Sequence, residues 1–206
     1  MITIHSDFIQ IDTSATTLLI RRTDRTFQCI HYGARLSRVG DVTLLASGDF
    51  ASRSLLSFYG CGDYREPAIS VVNADGTFVS EFVPTAARLL ETAPDFGGLP
   101  SSHGQGTTLE LEYRDSRNSL VLTQRITVYE DSDVIASSFV LKNEGKVAIS
   151  IRRLMSLEID FAGTTFTAST FDGHWARERQ RHDHVMNVGM LVNDAKQGSS
   201  SSTHNP

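Results

Sequence analysis

Cysteine, proline, tryptophan and long apolar runs are all scarce in this chain, and each scarcity removes options. Cys29 and Cys61 are the only cysteines and share no CxxC spacing, so neither a disulfide scaffold nor a thiolate zinc site is specified. Two buried or half-buried thiols are the expectation, although the count allows one disulfide. No apolar run approaches the length of a bilayer-spanning helix. The segment Met1–Asp12 alternates polar with apolar residues and lacks the basic start and apolar centre of a signal peptide, so a cytoplasmic location is expected. Basic residues are not in excess: 19 Lys and Arg stand against 24 Asp and Glu, a formal charge of -5. No Lys/Arg run with interleaved aromatics offsets that balance, which excludes a nucleic-acid backbone as partner. There is no P-loop, no GxGxxG and no GxSxG elbow, and no cofactor is expected.

What is present is ordinary for a globular protein: 40% hydrophobic and 21% charged residues in 206. That length can bury a substantial core and suits one domain. The pattern along it has period two rather than 3.6. Thr3–Asp12 and Thr17–Arg22 read as strands. Thr26–Tyr32 alternates, with Phe27, Cys29 and His31 on one face, until Gly33 breaks it. Asp41–Phe58 reads as a loop with one helical turn. Tyr59–Gly76 is the most specified stretch: a glycine-broken turn, the charged knot Asp63-Tyr64-Arg65-Glu66, an apolar run Ala68–Val72, and the hairpin turn Asn73–Gly76. Thr77–Val83 reads as its return strand, and Pro84, Pro94, Pro100 and Gly97-Gly98 mark an irregular crossing.

From Thr107 to Asn205 there is no proline. Proline would delete a ladder hydrogen bond in a central strand, so its absence fits a continuous antiparallel meander. Leu109–Arg114, Leu120–Tyr129, Val134–Lys142 and Val147–Phe161 are the strands expected. Leu120, Leu122, Gln124, Ile126 and Val128 share a face. The fold class is all-β, an antiparallel β-sandwich. Gln197–Ser202 is a low-complexity segment.

Several constellations could carry chemistry. The carboxylate pairs are Asp63 with Glu66, Asp131 with Asp133, Glu158 with Asp160, and Asp172 with Glu178; acid–base and sugar-cleaving sites are built from such pairs. Asp131 and Asp133 flank a turn and are expected to hydrogen-bond their own backbone. Glu158 and Asp160 alternate with Leu157, Ile159 and Phe161, the pattern of a strand whose acidic face meets water. His182 and His184 share a strand face near His174 and His204, but no third ligand follows at a metal-site spacing, and no metal is expected. Two charged knots remain, Asp63–Glu66 and Trp175–Arg179. Arginine, carboxylate and aromatic groups in one run either pin loops together or line a sugar site.

Several motifs, in order, resemble glycoside hydrolase family 36 α-galactosidases. GDYREPA at Gly62–Ala68, with ADG at Ala74–Gly76, is similar to that family's GDFR-P motif and following hairpin. Leu99-Pro100 is similar to its LP-x-x-Y crossing. Leu109–Phe139 resembles its meander with the YE-x-x-x-VI-x-x-S signature. GHWARER at Gly173–Arg179 resembles GAWxRER, and SSTHNP at Ser201–Pro206 resembles SSHQxNP.

The resemblance implies hydrolysis of terminal α-linked galactose from melibiose and raffinose-type galactosides, with retention. It implies an N-terminal β-sandwich (a super-sandwich) ahead of a (β/α)8 barrel, and assembly as a homo-oligomer. Both catalytic aspartates belong to the barrel, the nucleophile in a Lys-Trp-Asp run. Here Trp175 lies between His174 and Ala176, so no catalytic residue is assigned to this chain. Residues 1–206 are expected to be the N-terminal domain, incomplete at its C-terminal end and truncated before the barrel. Its partners are then the galactoside substrate, through the catalytic domain, and further copies of itself. Asp63 and Arg65 are the candidate substrate-binding residues, at the rim of the site or an interface. The chain departs from the family at His174, Ser137 and Ser202, and Gly48–Phe58 is short where many members carry a proline-rich loop. The alternative expectation is a free-standing carbohydrate-binding or oligomerisation module.

Overall fold

A computed structural model describes residues 1–47, 54–98, 104–129, 132–161, 165–195, 198 and 200–203. These fall into two compact units, Met1–Phe161 and Ala162–Pro206.

The first unit contains two four-stranded antiparallel sheets. One is β1 (Ile2–Ile4), β2 (Phe8–Asp12), β3 (Thr16–Arg22) and β4 (Phe27–Ala34), paired in that order. The Thr3–Asp12 run is therefore two strands, because His5–Asp7 turns the chain and the His5 N–H donates to the Phe8 carbonyl at 2.9 Å. Gly33 lies inside β4, opposite Thr17, rather than ending it. The other sheet is β6 (Val83–Leu90), β7 (Gly106–Asp115), β8 (Leu120–Tyr129) and β9 (Ile135–Asn143). Here the expected face, Leu120, Leu122, Gln124, Ile126 and Val128, is wholly buried, and Val121, Thr127 and Tyr129 of the opposite face are buried with it. Side chains from both sheets join one hydrophobic cluster, and the Phe27 ring meets that of Tyr113 edge-on at 5.5 Å between centroids. This is the β-sandwich core.

Other elements also depart from the sequence reading. A nine-residue helix, α1 (Val39–Ser47), replaces a single turn; the Arg38 carbonyl accepts its first N–H groups, from Asp41 and Val42, and Val42 is buried. Residues 48–53, in the rest of that expected loop, lie outside the described residues. The Asn73–Gly76 turn forms, with the Gly76 N–H on the Asn73 carbonyl at 2.9 Å and Gly76 at φ +82°. However, Thr77–Phe82 does not return as a strand. Instead the Asn73 amide binds the Val79 carbonyl at 2.8 Å and the Ser80 N–H goes to Tyr59. Strand β6 begins at Val83 and carries Pro84, tolerated because β6 is the sheet's edge.

The apolar run is β5 (Ile69–Val72), and it pairs with β10 (Ser150–Leu154), not with its sequence neighbour. The expected strand Val147–Phe161 is thus regular only over those five residues.

The second unit contains an antiparallel hairpin, β11 (Thr167–His174) and β12 (Arg177–Val185), with Trp175 and Ala176 at its tip. Ala176 is left-handed at φ +64°, and Trp175 is 86% exposed. The Gly173 N–H donates to the Thr203 carbonyl and the Arg179 N–H to Ser202, which ties the hairpin to the segment that follows it.

Candidate functional site

The knot at Asp63–Glu66 becomes a clamp once β10 and the segment after it are in place. Gly60 and Gly62 turn the chain at φ +109° and +87°, conformations that side chains rarely adopt. Asp63 then accepts the Arg65 N–H at 3.0 Å, a local Asx turn that aims the guanidinium back along the loop. Arg65 Nε and Nη2 donate to the Asp63 carboxylate at 3.1 and 2.7 Å. Its outer edge reaches 95 residues along the chain to Asp160, with Nη1 at 2.5 Å and Nη2 at 3.2 Å. A planar guanidinium suits such two-pronged contacts. The side-chain hydrogen bonds, and less so the opposite charge, hold Asp63 below the usual carboxylate range and Arg65 above its own ordinary value.

Glu158 stands beside them, its Oε1 at 4.0 Å from Arg65 Nη2. Its Oε2 accepts the backbone N–H of Ser57 at 2.6 Å. Ser57 is buried and fully used: its carbonyl takes the Ile69 N–H at 3.1 Å and its hydroxyl the Ala68 N–H at 2.9 Å. Burial pushes the Glu158 carboxyl up, and the Ser57 contacts and Arg65 only partly offset this. Below it Tyr113 is buried, its hydroxyl donating to Gln124 at 3.3 Å, and burial plus the Glu158 charge push the phenol up. A second arginine closes the other end, since Arg153 pairs with Glu66 and its Nη1 donates to the Pro67 carbonyl at 3.3 Å.

These contacts correct the reading of Glu158 and Asp160. Their segment is not a strand: the two carboxylates turn to Ser57 and Arg65, Ile159 packs against the core, and Leu157 and Phe161 are 54% and 50% exposed. Ion pairing and a backbone donor outweigh apolar alternation there. Asp63 and Glu66 do not form an acid–base pair, because each is taken up by a different arginine. Among the described residues Asp133 binds not its own turn but another: it accepts the Thr13 hydroxyl and, at 3.3 Å each, the Ala15 N–H and the Thr16 hydroxyl. Asp131, Leu99-Pro100 and His204 lie outside the described residues.

In the hairpin, Asp172 pairs with His182 at 2.9 Å, Glu178 accepts the Ala176 N–H at 3.0 Å, and His184 meets Thr170 at 3.4 Å. Among the described residues no three His, Cys, Asp or Glu side chains converge as a metal site. Neither cysteine forms a disulfide; Cys29 is buried as expected, whereas Cys61 is exposed rather than buried or half-buried. No described helix is long and apolar enough to cross a membrane.

Sequence reasoning missed Ser57, Glu158, Asp160 and Arg153 as partners of the knot. The remaining signal was the charge-rich spacing of Arg152-Arg153 and Glu158-x-Asp160, a match in sign to Asp63-x-Arg65-Glu66. Chemically the arrangement is a closed ion-pair network. It fixes the Tyr59–Pro67 loop on the sandwich and leaves no pair of carboxylates free for proton transfer.

Comparison with known proteins gives a consistent picture. Residues 25–206 match the family model described as the glycosyl hydrolase family 36 N-terminal domain. α-Galactosidase 2 of Hypocrea jecorina is 33% identical over 150 residues, which is 71% of this chain and 20% of that protein. The structure of the α-galactosidase AgaB from Geobacillus stearothermophilus superposes with a TM-score of 0.88 at 22% identity, covering 100% of this chain and 31% of that one. A variant of AgaA from the same organism, in complex with raffinose, gives a TM-score of 0.86 at 21% identity over 96% of this chain and 30% of that one. The chain thus spans about a fifth of the length of the curated relatives it matches.

Proposed function

From the premise that this chain belongs to the glycosyl hydrolase family 36 N-terminal domain family, we propose that it is the non-catalytic N-terminal part of an α-galactosidase. Its role is assembly and shaping the rim of the active site, for substrates with terminal α-linked galactose. The match over residues 25–206 carries this reading. The relatives' names supply the activity, and the sandwich supplies a rigid support for a rim loop. We read residues 1–206 as one such N-terminal domain.

In that setting Asp63 and Arg65 are rim or interface residues that act by holding the Tyr59–Pro67 loop. Every N–H-bearing nitrogen of the Arg65 guanidinium is already engaged within the chain. A free exposed thiol at Cys61 supports a reducing, cytoplasmic setting, where such thiols persist. The exposed Trp175 supports self-association as a further role, because indole rings are common anchors at interfaces.

The test is a chimera in which these 206 residues replace the matching N-terminal part of AgaB, assayed on an α-galactoside beside the 206-residue chain alone. Hydrolysis by the chimera and none by the chain is the expected result. Hydrolysis by the chain alone at an enzyme-like rate would overturn the non-catalytic role. Light scattering of the chain, with and without Trp175→Ala, tests self-association.

A further inference from the structure

Three turns of the first unit meet around one open pocket of about 270 Å³: the Asn73–Gly76 turn after β5, the β7–β8 turn, and the chain between β9 and β10. Their backbones are fixed. Asp115, buried at the end of β7, accepts the Asn118 N–H at 3.0 Å and the Asn118 amide at 2.7 Å. The Asn143 side chain accepts the Gly145 N–H at 2.9 Å and donates to the Val147 carbonyl at 2.8 Å. The Glu144 N–H donates to the Ser119 carbonyl at 2.9 Å, which joins two of the turns.

What lines the pocket is rich in donors that lack acceptors. Arg117 and Lys146 are exposed, and among the described residues neither has a hydrogen bond or an ion pair through its charged group. The Ser119 hydroxyl and the N–H groups of Lys146 and Val147 have no partner there either. Asp75 is the one carboxylate of the lining, and its Oδ1 already takes the Thr77 N–H at 3.0 Å and the Thr77 hydroxyl at 2.6 Å. Those bonds, and less so the Arg117 charge, hold the Asp75 carboxyl below its ordinary value. Glu144, beside the pocket, is taken up by Arg114 and Lys142 at 3.2 and 2.8 Å. Two cations against one carboxylate leave the pocket positive, on a chain whose formal charge is -5.

We propose that this pocket is an oxyanion site for a single phosphate group, free or as a small monoester. At neutral pH a phosphate monoester carries a charge of about −1.5 to −2 and three strong acceptor oxygens, enough for Arg117, Lys146 and Ser119 together. Charged donor and charged acceptor make the stronger class of hydrogen bond. A neutral ligand leaves both cations unmatched, and a metal ion meets only the Asp75 carboxylate. The volume lies below the roughly 300–1,000 Å³ of ordinary small-molecule sites, which suits one such group rather than a nucleotide. The fixed turns lower the entropic cost of binding.

The experiment is a titration of the 206-residue chain with sodium phosphate, with glycerol 3-phosphate as a monoester, and with sodium chloride at matched ionic strength, read at neutral pH by backbone amide shifts. Saturable shifts at Arg117, Ser119, Lys146 and Val147 with phosphate, and none with chloride, are expected. Arg117→Ala and Lys146→Ala each raise the Kd about tenfold, with the unfolding midpoint unchanged because neither charged group has a partner in the fold. Asp75→Asn acts in the opposite direction: it keeps the acceptor for Thr77, removes the competing charge and lowers the Kd about threefold. A lower Kd for glycerol 3-phosphate than for phosphate assigns the site to a monoester, and the reverse assigns it to the free ion. Absence of saturable shifts, shifts mapping away from the pocket, or an unaltered Kd in both alanine variants overturns the proposal. So does an equal response to chloride, which reduces the effect to general screening, or a Kd that rises in Asp75→Asn.

Discussion

Arg65 meets carboxylates on two edges of one guanidinium plane, which a lysine ammonium cannot reproduce. Arg65→Ala and Arg65→Lys should therefore both loosen the Tyr59–Pro67 loop. Because the side chain is half exposed, the loss of stability is modest, about 1 kcal/mol. Hydrogen exchange at Ile69 and Ala68 is the measurement, and full protection in the lysine variant would remove the need for the two-edged contact. Glu158 offers a pH test. Burial raises its carboxyl above the ordinary value of 4.5, so the folded chain keeps a proton that the unfolded chain has already released. Its contribution to stability then falls as pH rises from 4.5 through the raised value. Asp63 acts in the opposite sense: Arg65 holds it down, and its contribution is complete above 3.8 and lost as pH falls below that. Glu158→Gln should gain on the parent as pH rises from about 4.5 to about 7, read from urea midpoints. Parallel curves for parent and variant would show that Glu158 desolvation is not the cause. At this scale a pinned loop was one of the two options legible in the Asp63–Glu66 run, because the Asp63–Arg65 contact is local. Asp160 and Glu158 were not, since nothing in an alternating LEIDF run tells a reader that the acids turn to Ser57 and Arg65.

At the scale of elements, the loop depends on two left-handed glycines whose surroundings differ. A Cβ at Gly60 would come within 2.9 Å of Val79 Cγ1 and 3.1 Å of the Ser80 carbonyl, while Gly62 has nothing within 4 Å. Gly60→Ala combines backbone strain with a clash and should cost about 2 kcal/mol; Gly62→Ala pays strain only, about 1 kcal/mol. Equilibrium urea unfolding of the two variants checks the order, and equal losses would show that the Val79 contact yields freely. Strand β8 was legible to the residue, because its Leu120–Val128 face alternates in sequence, although Val121, Thr127 and Tyr129 on the other face are buried as well. The β5–β10 pairing was not. Hairpin chemistry at Asn73–Gly76 predicts a neighbouring partner, but side-chain bonds from Asn73 to Val79 take up the return segment and leave β5 free for a distant one. Edge strand β6 was hidden by Pro84, which reads as a breaker unless the edge position is known.

Across the whole molecule, the first unit stands on one core shared by two sheets. Leu111→Ala, at a fully buried site, should cost about 2–5 kcal/mol and lower the thermal midpoint of both sheets together. Separate transitions by tyrosine near-ultraviolet dichroism and far-ultraviolet dichroism would show two independent sheets. The only tryptophan lies in the second unit and is exposed. Its fluorescence should therefore emit as water-exposed indole in the folded chain and change little when the first unit unfolds. A blue-shifted emission that rises with protein concentration would report a covered Trp175. Family membership was legible in the ordered motifs; among the described residues GDYREPA sits at the Arg65 clamp, ADG at a turn and GHWARER at the hairpin tip, where chemistry constrains residue choice.

The clamp also has a consequence in time. Arg65 and Ser57 precede their partners by 95 and 101 residues, so a chain emerging from the ribosome completes the Tyr59–Pro67 loop long before it can fasten it. Closing so long a loop costs entropy that only the assembled sandwich offsets. The loop that bears Tyr64 therefore takes its final shape late, and its order becomes a marker that the first unit has finished folding.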